Sequence, residues 1–134
     1  MATFTKINSF VENLAEGVIN LAGTLVVALT NTAHTATWDE LADLTQVSYT
    51  NLSSRNLTLV SSEQLNGDYR LKLADLTLTA SGAVGPFQYI YIYDENSTGD
   101  KLICYADYGS AVTMASGDTF AIDLDGSTGV IVLS

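Results

Sequence analysis

Three kinds of hydrophobic spacing divide the chain. Between Ile7 and Ile19 the apolar residues Ile7, Phe10, Val11, Leu14, Ala15 and Val18 recur every three or four positions, with Glu12 and Glu16 on the other side. That period predicts one amphipathic helix over residues 7–19. Gly17 weakens its last turn, and Gly23 ends the segment before Leu25-Val26-Val27-Ala28-Leu29-Thr30, an unbroken apolar, β-branched run that predicts a buried strand. Thr37-Trp38-Asp39-Glu40 has the form of a capping box, in which the first and fourth side chains satisfy each other's backbone donors. It predicts a short helix over residues 38–44, anchored by Trp38 and Leu41.

From residue 57 onward the period shortens to two. Leu57-Thr58-Leu59-Val60-Ser61 and Tyr69-Arg70-Leu71-Lys72-Leu73 flank a loop containing Asn66-Gly67-Asp68. Asn-Gly supplies the positive φ angles of a tight hairpin, so the two segments are expected to pair antiparallel. Apolar parity runs Leu71, Leu73 and then Leu76, Leu78, a switch of inward face that a β-bulge or a bend explains. Further short strands are expected at 102–106, 111–114, 119–124 and 130–133, separated by Ser116-Gly117-Asp118 and Asp125-Gly126-Ser127-Thr128-Gly129. Phe120, Ile122 and Leu124 should face inward, with Asp123 and Asp125 on the wet side. The sum is a mainly β chain of about eight strands, an antiparallel β-sandwich or barrel-like domain with one N-terminal amphipathic helix. The helix should cover one open edge or face. The expected core is Phe10, Leu14, Val27, Leu29, Leu71, Leu73, Ile90, Ile92, Ile122 and Val132.

Gly85-Pro86-Phe87-Gln88-Tyr89-Ile90-Tyr91-Ile92-Tyr93-Asp94 reads as the central strand. Pro86 is tolerated at its start, Phe87, Tyr89, Tyr91 and Tyr93 alternate onto one face, and Ile90 and Ile92 take the other. With Tyr105 and Tyr108 nearby in sequence, the Tyr face has two readings: half-buried core, or an interface, since Tyr gives large contact area at small entropic cost. On the interface reading Phe87, Tyr89, Tyr91, Tyr93, Tyr105 and Tyr108 are the contact residues. Tyr91→Asp should then harm assembly while costing less fold stability than Ile92→Asp.

Composition narrows the function classes. With 134 residues the chain makes one domain, and only 15% of it is charged against a usual share of about 25%, so Thr, Ser, Asn and Tyr must cover much of its surface. Fifteen acidic against five basic residues give a net charge of −10, which repels nucleic-acid phosphates. The first residues lack a signal-peptide pattern and no run of about 18 apolar residues is present, so a chain made in the cytoplasm with no membrane span is expected. The sequons at Asn51, Asn56 and Asn96 then carry no meaning. Cys104 is alone in an apolar run and reads as a buried, inert thiol.

Candidate chemistry is sparse. His34, the one histidine, lies in a small-residue loop without a nucleophile elbow, so no catalytic residues and no enzyme are expected. No Gly-rich phosphate loop and no His or Cys pair at metal spacing occurs. Asp94, Asn96 and Asp100 gather oxygen donors on one turn as a calcium loop does, but without the spacing or the closing Glu of an EF-hand. A solvated turn with no cofactor is the expectation, with calcium there as the sharper alternative.

Several segments resemble one family. Phe4-Thr5-Lys6 followed by Phe10-Val11-Glu12-Asn13-Leu14-Ala15, then Val27-Ala28-Leu29-Thr30-Asn31-Thr32-Ala33, Gly85-Pro86-Phe87-Gln88-Tyr89 with Tyr93, Asp107-Tyr108-Gly109-Ser110 and Gly117-Asp118-Thr119-Phe120 together resemble small virion proteins of tailed bacteriophages, some of which look like capsid decoration (cement) proteins. The resemblance implies a non-enzymatic structural protein on the capsid surface, partnered by the major capsid protein and by itself as a homotrimer. A tail or head-tail adaptor component is the alternative within that class. A virion carbohydrate-binding module, resting on the Tyr stripe and the acidic turns, is the alternative outside it. The quoted motifs mark turns and core strands, so no functional residues transfer with them.

Overall fold

The computed structural model describes residues 4–124 and 129–133. Strand takes 49% of the described residues and helix 7%, so the mainly β, antiparallel class stands. Nine strands occur among the described residues: β1 (Thr5–Lys6), β2 (Leu25–Thr30), β3 (Leu59–Leu65), β4 (Asp68–Leu73), β5 (Leu76–Thr79), β6 (Val84–Asp94), β7 (Leu102–Met114), β8 (Thr119–Ile122) and β9 (Ile131–Leu133). They form a four-stranded sheet in the order β1-β7-β6-β2, a three-stranded sheet β3-β4-β9 and a two-stranded sheet β5-β8. The expected strands at 102–106 and 111–114 are one strand, β7. The turn Asp125-Gly126-Ser127-Thr128-Gly129 lies, up to Thr128, outside the described residues.

β2 is buried at all six positions, as its continuous apolar run requires for a strand covered on both faces. Its partner β6 is buried from Ile90 to Asp94. One face of this sheet meets β5 and β8, where Phe87 packs edge-on against Phe120 at 5.2 Å. Leu78, Phe120, Ile122 and Leu124 are buried, and the neighbouring Ala121 and Asp123 are exposed, which matches the expected alternation. The parity switch after Leu73 is a bend: β4 ends there, and β5 starts in another sheet, paired with β8.

Both helices are shorter than the hydrophobic spacing suggests. The predicted 7–19 helix is reduced to α1 (Phe10–Ala15), which packs against β7. Gly17 has φ +78, and the N–H groups of Gly17 and Val18 donate to the carbonyls of Leu14 and Asn13. Those two bonds form a Schellman motif, which ends the helix where a left-handed residue is available. Val11, placed by periodicity on the apolar face, is 48% exposed. The predicted 38–44 helix is a single 3-10 turn, Leu41–Asp43. The reciprocal box is shifted by three residues: the Asp43 carboxylate accepts the N–H groups of Asp39 and Glu40. Leu44 is the buried anchor, whereas Trp38 and Leu41 are half-buried.

Of the expected core, Phe10, Val27, Leu29, Leu71, Leu73, Ile90, Ile92 and Ile122 are buried. Leu14 is half-buried. Val132 is a correction: it lies opposite Arg70 on the outer side of the three-stranded sheet and is exposed, while its neighbour Ile131 is the buried residue of β9.

Candidate interaction surface

The Tyr-rich strand does not offer one free face. Phe87, Tyr91 and Tyr93 are buried within the chain, Tyr89 and Tyr105 are half-buried, and Tyr108 alone stays largely exposed. Two causes overturn the interface reading of the stripe. First, the β6–β7 register shifts between Phe87 and Tyr89, since Phe87 lies opposite Val112 and Tyr89 opposite Asp107. β7 carries the extra residues, including Gly109 at φ +93, so strict alternation fails there and Phe87 joins Phe120 on the side away from Tyr91. Tyr108 also meets Phe120, at 5.1 Å between centroids.

Second, the loop after β2 covers the remaining rings. His34 stacks on Tyr105 at 4.0 Å and 19°, and its Nδ1 lies 2.8 Å from the Tyr91 hydroxyl. Trp38 closes edge-on against the imidazole at 5.8 Å, and Tyr91 and Tyr105 stack at 5.5 Å. Burial pushes the Tyr91 hydroxyl well above its ordinary range, with Tyr105 and Tyr89 adding to the shift. Burial also lowers the His34 pKa, favouring neutral imidazole. His34 thus wedges shut the Tyr face. Cys104 is buried opposite Ile92, and burial pushes its thiol up, so it is held as a thiol and packs as a small hydrophobe.

The 94–100 turn has a structural use for its best oxygen donor. Asp94 is buried, and its two carboxylate oxygens accept the N–H groups of Asn20 and Asn96. It ties the loop before β2 to the β6–β7 turn. Asp100, at φ +54, gives its carbonyl to the N–H of Leu41, and Lys101 pairs with Asp39 at 3.5 Å. Among the described residues no three His, Cys, Asp or Glu side chains come together to hold a metal.

What the spacing argument missed is the exposure of β3. Six of its seven residues are exposed, among them Leu59, Val60 and Leu65 at 43%, 59% and 45%. It pairs with β4 through Asn66-Gly67, both at positive φ (53 and 88), as a type I′ turn requires. Its other side is the edge of the sheet. Ser62 also forms, with Tyr69, Leu14, Ile19, Leu21 and Leu133, the wall of an apolar groove of about 610 Å³, so packing around this strand is thin. The available signal was Ser61-Ser62-Glu63-Gln64, four polar residues in succession, which leave neither face of a strand suited to a core. Compared with known protein families, with curated proteins and with solved structures, the chain finds no match.

Proposed function

We propose that this chain is a non-enzymatic structural protein of a virion that decorates the capsid exterior, binding the major capsid protein and associating with itself. β3 carries the reading: an exposed strand with three large apolar side chains stands outside a closed core, a surface suited to lattice contacts. The phage-like motifs quoted above supply the setting. Antibody against the chain, applied to purified tailed particles and viewed by immunogold electron microscopy, should label heads, including heads without tails. Label confined to the tail or the neck would replace decoration by an adaptor role, and particles free of label would overturn the virion reading.

A second reading has its own support in the half-exposed Trp38, whose ring offers a stacking platform for sugars. Trp38 is the one tryptophan, so its fluorescence reports on that platform directly. Titration with a glycan panel that shifts its emission would favour carbohydrate binding, and an unmoved spectrum would remove it.

A further inference from the structure

We infer that β3 pairs antiparallel with β3 of a second copy of this chain, about a twofold axis at Ser62. The inference rests on the reading of the chain as an assembly protein and names the partner of its exposed strand. In the β3–β4 ladder Leu65 lies opposite Asp68 next to the two-residue turn, Glu63 opposite Arg70 and Ser61 opposite Lys72. A two-residue hairpin makes the pair flanking the turn a hydrogen-bonded one, and such pairs alternate along the ladder. Ser62 and Gln64 therefore turn their backbone N–H and C=O groups away from β4, toward open solvent at the sheet edge. Val60 is the extra residue at the register shift between Leu59 and Ser61, where the ladder bends.

A twofold axis at Ser62 matches these groups to themselves. Ser62 meets its own copy, Val60 meets Gln64 of the other chain on either side, and Leu59 meets Leu65. The outward-facing groups of the two Ser62 residues then pair, and the apolar ends of each strand lie against each other. No charged residue meets a like charge across the axis, because Glu63 falls opposite Ser61. The charge balance of the hairpin also suits a second copy. Arg70 and Lys72, two of the five basic residues in a chain of net charge −10, offset Glu63 and Asp68 there, and Lys72 is held 2.8 Å from Glu63. The hairpin's own charges balance, so pairing it with a second copy adds no net like-charge repulsion. The product is a six-stranded sheet shared by two molecules. Such a contact closes as a dimer, so this inference departs from the trimer that the phage resemblance implies.

The test is the mass of the purified full chain by sedimentation velocity across a concentration series. A dimer is expected for the wild type, and Ser62→Pro should return it to monomer. That substitution removes an outward N–H which β4 does not use, so circular dichroism and the melting temperature should barely change. V60K/Q64K puts like charges across the axis and should weaken dimerisation at least tenfold. V60K/Q64E puts opposite charges there and should restore it, with a salt dependence that the wild type lacks. A wild-type monomer at millimolar concentration, a trimer, or a dimer indifferent to all three variants would overturn the pairing. Should Ser62→Pro fail to fold, the two charge variants decide. Because no capsid enters the measurement, failure here leaves the virion reading to the particle labelling.

Discussion

Two of the edge strands, β2 and β3, are treated by the chain in opposite ways. At β2 the outward backbone groups of Val27 and Leu29 and the outward carbonyl of Leu25 are all satisfied. The Val27 N–H donates to the Arg55 carbonyl, the Leu29 N–H to the Tyr49 hydroxyl, and the carbonyls of Leu25 and Leu29 accept from Leu57 and Val47. The Arg55 guanidinium donates to the Val27 carbonyl while lying 3.7 Å over the Tyr49 ring. An irregular segment thus replaces a missing strand. At β3 nothing comparable covers the edge among the described residues. An open edge is a template for another chain, so the contrast separates the part of the molecule that finishes folding within one chain from the part left for assembly.

Substitutions at the two ends of this contrast should differ by several kcal/mol. Ile92→Asp, at a fully buried position of β6, introduces an unpaired charge and should cost more than about 4 kcal/mol, enough to lose the urea transition. Tyr91→Asp should do the same. Tyr91 is buried beneath His34, so the expected separation between assembly and stability at these two positions does not survive. Equal collapse of both variants in urea titrations checks this, and a folded Tyr91→Asp would reopen the interface reading.

Arg55→Ala opens the β2 edge without touching the core. Loss of a charge-assisted hydrogen bond and a ring contact should cost about 1.5–3 kcal/mol in chemical denaturation. A cost near zero would show that the covering segment is ornamental and would weaken the comparison with β3.

The His34 wedge adds a pH dependence. Its pKa is lowered by burial, so the unfolded chain binds that proton more tightly than the folded one. Stability from this residue is complete above the unfolded value of about 6.5 and declines as pH falls below it. The melting-temperature advantage of wild type over His34→Gln should therefore shrink between pH 7.5 and pH 5. A widening gap would contradict the burial of the imidazole.

The smallest effect is expected at β3. Leu65→Ser should change monomer stability by no more than about 0.5 kcal/mol, as judged from denaturation at concentrations too low for association. A larger loss would mean that the hairpin end is packed after all.

How much of this was legible depended on whether local spacing decided the outcome. The Asn66-Gly67 hairpin, the buried run of β2 and the alternation in β8 were readable because turn chemistry and parity act over a few residues. The Tyr face misled for a nonlocal reason: its cover comes from His34 and Trp38, more than fifty positions away, and a register shift against β7 turned Phe87 aside. The helix lengths failed differently, because a hydrophobic period does not show where Gly17 will adopt a left-handed conformation. The edge status of β3 required knowing the strand order, which no local pattern states.

The register of the four-stranded sheet also bears on synthesis. Thr5 lies opposite Tyr105, and Leu25 opposite Asp94, so the most apolar strand of the chain lacks its strand partner β6 until nearly seventy further residues have been made. At translation rates of about 5–20 residues per second, that wait lasts several seconds. Throughout it Leu25–Leu29 is an uncharged β segment whose side toward β6 stays open. Such nonlocal pairing folds slowly and invites contact between nascent chains, which makes β2, the best-protected edge of the finished molecule, its most vulnerable stretch during birth.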